Sequence, residues 1–194
     1  ARVVGKVDRV DGWLHDGKLY LRVVDYKTGK KSFDLAELRY GLGLQMLLYL
    51  FTLKEEGQML FGGHEIVPAG VLYTPAREPM LRCARDTEPE KIEKALKKEL
   101  RRSGMVLADP EVLRAMEHSA LEAPHYLPIR VKKDGSISDG IASAEQLGKL
   151  GRYVEDLLHQ IAREIGSGNI DADPVARGPQ ERACDRCDFA AACA

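Results

Sequence analysis

Asp16-Gly17, set between two runs of β-branched and apolar residues, commits the first part of this chain to a β-hairpin. The first strand is expected over residues 2–10, the turn around His15-Asp16-Gly17-Lys18, and the second strand over residues 19–26. The hairpin gathers chemistry at its open end. Val23-Val24 runs straight into Asp25-Tyr26-Lys27, so a carboxylate sits where a buried strand emerges, and Thr28-Gly29 then turns the chain away. Side chains alternate along a strand, which places Asp25 and Lys27 on one face. Asp8, within Gly5-Lys6-Val7-Asp8-Arg9, joins them if the register brings the two strand ends level.

Two carboxylates are hard oxygen ligands of the kind Mg²⁺ takes, leaving its other positions to water and phosphate oxygens. A lysine beside such a metal can position or deprotonate water, or neutralise charge on a phosphate. The chemistry implied is metal-assisted phosphodiester hydrolysis. A D-x-K triplet alone is more often a solvated strand end, and it is the position after Val23-Val24 that lifts this one above that background.

At 194 residues and 44% hydrophobic, the chain can fill one domain with a small appendage. Lys+Arg 29 against Asp+Glu 30 excludes a global polycation, so contact with nucleic acid would need local basic patches. Candidates are Lys27-Lys30-Lys31, Lys97-Lys98-Arg101-Arg102 and Lys132-Lys133, of which the last two read as ordinary solvated faces. No apolar run reaches the length of a membrane span and there is no secretory core, so no membrane partner is expected. The chain opens on Ala-Arg-Val-Val without an initiator Met, which reads as an N-terminally truncated piece of a longer protein.

Beyond the hairpin, Asp34 can cap helix through Leu35-Ala36-Glu37-Leu38 and on to Glu56, with Gly57 as terminator and a break at Gly41 and Gly43. Residues 42–53 are apolar almost all round except for Gln45 and Tyr49, whose i,i+4 spacing gives them a shared polar face that can line a site. A strand is expected over residues 67–73 and an amphipathic helix over 90–102, stopped by Ser103-Gly104. Asp109-Pro110 opens a further helix, and a small peripheral hairpin turns at Asp134-Gly135. Ser143 with Gln146 makes a capping box for a long helix whose stripe is Leu147, Leu150, Val154, Leu157, Ile161 and Ile165. This order of elements is mixed α/β.

Of four cysteines, Cys184, Cys187 and Cys193 form a C-x2-C-x5-C tail with little apolar material to hold it. Three thiolates need a fourth partner for a tetrahedral zinc or a [4Fe–4S] cluster. Cys83 is the remaining cysteine, but a ligand from before residue 1 is the better fourth candidate. A disulfide is disfavoured, since nothing indicates an oxidising compartment.

Taken together, G-K-V-D-R, V-V-D-Y-K-T-G, Q-M-L-L-Y and the cysteine tail resemble the RecB-type PD-(D/E)XK nucleases, and within them the C-terminal nuclease domains of AddB-type subunits of AddAB helicase–nucleases. The likeness continues through Gly104-Met105-Val106-Leu107-Ala108-Asp109-Pro110, Leu127-Pro128-Ile129 and Gly168-Asn169-Ile170, nearly the whole chain. It implies a restriction-endonuclease-like core, a central mixed β-sheet flanked by α-helices, over residues 1–178, and a cysteine-rich tail over 179–194. By that resemblance Asp8, Asp25 and the Tyr26 carbonyl bind Mg²⁺ (or Mn²⁺), Lys27 is the catalytic lysine, and Gln45 and Tyr49 contact DNA near the scissile phosphate. Cys184, Cys187 and Cys193 become ligands of a [4Fe–4S] cluster. Many such nucleases also carry a metal-binding His ahead of the first motif, which neither His15 nor His64 matches; His15 reads as a solvated turn residue.

The activity implied is a Mg²⁺-dependent DNA exonuclease acting on single strands during double-strand-break repair by recombination. The implied partners are single-stranded DNA from unwound duplex and an AddA-like helicase/nuclease subunit, in the bacterial cytoplasm. A non-catalytic DNA-binding or assembly module of the same fold, and a stand-alone nuclease of Cas4 type, are the alternatives.

Overall fold

The computed structural model describes residues 4–176 and 183–192. β1 (Arg9–His15) and β2 (Lys18–Lys27) pair antiparallel from Arg9↔Val24 to His15↔Lys18. Asp16 and Gly17 sit at φ 48° and 75° and form the two-residue turn; this backbone suits a hairpin's twist, and Asp-Gly adopts it at low cost. The first strand differs from the expectation over residues 2–10. It starts at Arg9 because the Asp8 side chain takes the Tyr26 N–H (3.2 Å), a donor that a longer strand would have given to the main chain.

Asp34 caps the next segment, its Oδ1 accepting the Ala36 N–H at 2.8 Å, but that segment (Leu35–Tyr40) is a 3-10 helix closed by Gly41 in the left-handed region. α1 (Gln45–Glu56) follows the expected break. Gly57 caps its end as expected, its N–H donating to the Leu53 carbonyl, and the chain then continues as a 3-10 segment (Gly57–Phe61) to Gly62. β3 (Glu65–Pro75) then runs parallel to β2, with an irregularity where Leu21↔Pro68 is followed by Arg22↔Gly70. Ala69 is the extra residue of that bulge, and Pro68, which lacks a ladder donor, sits beside it.

α2 (Pro89–Glu99) is amphipathic but buries no residue fully. It ends before Ser103-Gly104, and these two residues, expected only to stop a helix, instead open β4 (Ser103–Leu107). β4 pairs antiparallel with β3 and is buried from Gly104 to Leu107, so sheet pairing and burial decide its conformation. α3 (Pro110–Met116) begins at Asp109, whose Oδ1 accepts the N–H groups of Glu111 and Val112. β5 (Arg130–Val131) and β6 (Ile137–Ser138) form the expected small hairpin. β7 (Ile141–Ala142) joins β4 in parallel and completes the sheet order β1-β2-β3-β4-β7. α4 (Ala144–Gly166) starts in a reciprocated capping box, Ser143 Oγ accepting from Gln146 N and Gln146 Oε1 from Ser143 N.

The sheet is buried on both faces. Val23 and Val71 pack with Met46, Leu47 and Leu50 of α1 and with Leu147 and Val154 of α4. Val24, Leu72 and Val106 pack with Leu113 of α3 and with Leu127 and Ile129. Burial of both faces explains why the central strands read as continuous apolar runs. Of the α4 stripe, Leu150, Leu157 and Ile161 lie against the core margin, whereas Ile165 in the last turn is exposed because the helix runs past the core. This is the expected α/β architecture, a mixed sheet flanked by helices. Among the described residues no helix is long and apolar enough to cross a membrane.

Candidate active site

The site forms where β2 leaves the sheet. Val23, Asp25 and Lys27 alternate onto the face covered by α1. Asp25 is 6% exposed and is the one buried charged residue among those described. Lys27 Nζ stands 2.5 Å from Asp25 Oδ2. That approach is an ion contact off hydrogen-bond geometry, so Oδ2 is buried without an aligned donor. The Lys27 ammonium offsets part of the cost of burying this charge, and a second cation would complete its environment.

Contact with Asp25 is the main cause that raises the Lys27 pKa; partial burial opposes it, and the nearby Tyr73 and Asp8 reinforce it. The ammonium also lies over the Tyr73 ring, 5.7 Å from its centroid. Burial, and then the Asp25 charge, push the Tyr73 phenol upward. Lys27 is therefore a cation at neutral pH, flanked by a neutral ring. Tyr73 was not among the expected site residues, because only the parallel pairing Asp25↔Tyr73 brings it there.

The paired register of β1 and β2 ends at Arg9↔Val24, and continuing it by one residue would set Asp8 opposite Asp25. Opposed residues of an antiparallel pair share a face. In a strand the N–H and C=O of one residue project to the same edge. Since the Tyr26 N–H meets Asp8 Oδ2, the Tyr26 carbonyl is directed to that same edge. The next carbonyl, that of Lys27, points the other way and accepts the Ala76 N–H at 2.9 Å. Asp8, Asp25 and the Tyr26 carbonyl are hard oxygen donors, and a buried carboxylate oxygen without an aligned donor fits a divalent cation. Among the described residues no group of three His, Cys, Asp or Glu side chains forms a metal cluster, so any such ion would draw its remaining ligands from outside this set.

Gln45 opens α1, and its Nε2 donates to Tyr49 Oη at 3.1 Å, so the expected pair does share a face. The Tyr49 ring lies on the backbone of Gly5, next to the Asp8 segment; a Cβ at Gly5 would stand 2.5 Å from Tyr49 Cε1. α1 thus presents Gln45 and Tyr49 beside the carboxylate edge.

The basic residues sort unexpectedly. Lys27, Lys30 and Lys31 line a cleft of about 380 Å³ together with Arg77, Lys98 and Arg101. The 97–102 cluster is therefore no uniform solvated face. Lys98 and Arg101 join the cleft, Lys97 pairs with Glu93 (2.7 Å), and the Arg102 guanidinium stands over the Tyr126 ring. His15 also departs from a solvated turn residue, since it stacks on Trp13 (4.4 Å between ring centroids) and contacts Glu111 at 3.2 Å.

Cys184 lies within a 3-10 turn (Ala183–Arg186) and Cys187 directly follows it, with the Cys187 N–H donating to the Cys184 carbonyl at 3.1 Å. Both thiols are free, as is the exposed Cys83. Cys193 and the expected boundary at residues 178–179 lie outside the described residues.

A family model described as PD-(D/E)XK nuclease superfamily matches residues 1–194. The chain is 34% identical over 193 residues to a protein of Ruminiclostridium cellulolyticum named as a subunit of an ATP-dependent helicase/deoxyribonuclease, covering 99% of this chain and 17% of that protein. Proteins of the same name from Clostridium botulinum (strain Hall) and Bacillus thuringiensis (strain Al Hakam) are 35% identical over 194 residues and 37% over 195, each across 98% of this chain and 17% of the relative. The chain thus spans about a sixth of the length of these relatives, 17% in each case.

Proposed function

Because this chain belongs to the PD-(D/E)XK nuclease superfamily, we propose that it is a divalent-metal-dependent DNA exonuclease unit, with Asp8, Asp25 and Lys27 as its catalytic set. One observation carries the assignment of the site: a buried carboxylate oxygen of Asp25, without an aligned donor, in contact with the Lys27 ammonium, next to Tyr26, whose N–H donates to Asp8.

Asp8, Asp25 and the Tyr26 carbonyl would hold Mg²⁺, with Mn²⁺ as a substitute. When bound, the ion supplies a Lewis acid for the phosphate and for the attacking water. Lys27 supplies a fixed positive charge where negative charge grows on the phosphate oxygens in the transition state. Gln45 and Tyr49 hold the sugar–phosphate backbone beside the scissile bond, so that the phosphorus meets the water in line. The α1 layer over Val23 keeps the base of the site dry, which strengthens each of these charge interactions.

The relatives are named as helicase/deoxyribonuclease subunits, which supports single-stranded DNA from unwound duplex as the substrate. The same name supports a helicase-bearing partner subunit of AddA type, with double-strand-break repair by recombination as the setting. Cys184, Cys187 and Cys193 would supply three thiolates of a [4Fe–4S] site, a fourth ligand being required.

The test is cleavage of end-labelled linear and circular single strands with Mg²⁺ or EDTA. The linear strand should shorten from an end only with Mg²⁺, the circle should resist, and Lys27→Ala should lose about a hundred- to a thousandfold of the rate with an unchanged circular-dichroism spectrum. Wild-type rates in Lys27→Ala would remove Lys27 from the mechanism.

A further inference from the structure

The cleft that begins at Lys27 carries six cationic side chains (Lys27, Lys30, Lys31, Arg77, Lys98 and Arg101) and a single carboxylate, Glu99. In a chain of formal net charge −1 this is a strong local concentration of one sign. It is assembled from separate segments: the stretch after β2, the end of β3, the last turn of α2 and the lead into β4. Their side chains are not equivalent. Arg101 donates to the main-chain carbonyls of Leu127 (3.2 Å) and Ile129, so it adds charge while its donors are occupied. Glu99 Oε2 holds Arg77 Nη2 at 2.9 Å and Lys30 Nζ at 3.6 Å, fixing two cations on one oxygen. Lys31 reaches Glu37 at 3.7 Å. The Lys98 side chain lines the cleft and has no hydrogen bond or ion pair among the described residues.

We propose that this cleft seats the phosphodiester backbone of the single strand on the Lys27 side of the scissile bond, Lys30 and Lys98 each meeting a phosphate beyond the one that is cleaved. The inference rests on the nuclease reading above and extends it from a catalytic point to a track. With Asp25 beside Lys27 and Glu37 beside Lys31 counted together with Glu99, the six cations still outnumber their carboxylate partners, and an excess spread along a row is matched by a polyanion better than by a lone phosphate. The contacts go to phosphates, so the track positions the strand and does not read its sequence.

Binding of a labelled oligothymidylate, followed by fluorescence anisotropy in EDTA from about 50 to 200 mM salt, tests the track without turnover. Replacing both lysines (Lys30→Ala with Lys98→Ala) should weaken binding about tenfold or more and lower the slope of log affinity against log salt by about 1.4, at ~0.7 for each lost phosphate contact. Lys30→Arg with Lys98→Arg should restore both, which separates charge from folding. Lys132→Ala with Lys133→Ala, outside the cleft, should change neither. Unchanged affinity and slope in the double alanine variant overturn the track. Because binding is read apart from cleavage, the two ideas fail separately. A chain that cleaves with Mg²⁺ yet ignores both lysines retains the nuclease and loses the track, and one that binds through the lysines yet never cleaves does the reverse.

Discussion

The backbone of Gly5 lies directly under the Tyr49 ring, so that a Cβ at Gly5 would stand 2.5 Å from Tyr49 Cε1 and 2.7 Å from Tyr49 Oη. The segment leading to Asp8 and the helix bearing Gln45 are therefore locked together by the absence of a side chain. Gly5→Ala should push the ring aside and break the 3.1 Å hydrogen bond from Gln45. We expect KM for a single-stranded oligonucleotide to rise about tenfold, equivalent to ~1.4 kcal/mol, with little change in Tm. Tyr49→Phe keeps the ring and loses only the hydroxyl, so its effect should be smaller. Wild-type kinetics in Gly5→Ala would show that the ring's position is irrelevant to the reaction.

Asp25→Asn separates function from stability. The wild-type carboxylate is buried with the partly exposed Lys27 ammonium as its one ion partner among the described residues, so its desolvation outweighs that contact and neutralising it removes a net cost of folding in metal-free protein. Lys27, with a side chain 35% exposed, can turn to water when its partner loses charge. In EDTA the variant's Tm should rise by about 2–4 °C, corresponding to ~1 kcal/mol for a chain of this size. Added Mg²⁺ should raise the Tm of the wild type and leave that of the variant unmoved, since only a folded state that binds the ion gains from it. A variant less stable than wild type in EDTA and equally stabilised by Mg²⁺ would contradict the assignment.

Asp11 gives a pH dependence remote from the site. It takes Arg9 Nε at 2.6 Å and Arg22 Nε at 2.8 Å. Burial pushes its carboxyl up, and the hydrogen bonds from Arg9 and Arg22 more than offset that, leaving its pKa below the ordinary 3.8. A carboxyl depressed in the folded state stabilises the fold above its unfolded pKa, and that stability fades as pH falls through the folded pKa. Asp11→Asn should therefore cost about 2 kcal/mol at pH 7, the scale of hydrogen bonds to charged groups. The gap from wild type in urea unfolding should hold down to near pH 4 and narrow below 3.8. A gap constant from neutral to strongly acidic pH would place the stabilisation elsewhere.

The parts legible in the sequence are those fixed by neighbours along the chain. The Asp16-Gly17 turn, the Asp34 and Asp109 caps, and the Ser143–Gln146 box each depend on a few adjacent residues, and each formed. Asp25 and Lys27 were legible together because alternation in a strand is local, and Gln45 with Tyr49 because i,i+4 spacing is. What escaped depends on pairing at a distance. Ser103-Gly104 became strand through β3, and Ile141-Ala142 through β4, with too few residues in either to show a period. Tyr73 entered the site by the parallel register with β2, and the cationic cleft needed several segments to converge. The first strand fell short of its expected start because a side chain, that of Asp8, took up a main-chain donor.

The Asp16-Gly17 turn lies at the opposite end of the hairpin from Asp25, yet it acts as the gauge of the carboxylate pair. It fixes His15 against Lys18, and every later pairing up to Arg9 and Val24, the neighbours of Asp8 and Asp25, is counted from there. A single deletion at the turn that slid one arm against the other would swing its carboxylate through the sheet to the opposite side. Distance from the chemistry is thus no guide to where this fold accepts a change of length. A turn at the far end of the hairpin carries the calibration of both carboxylates.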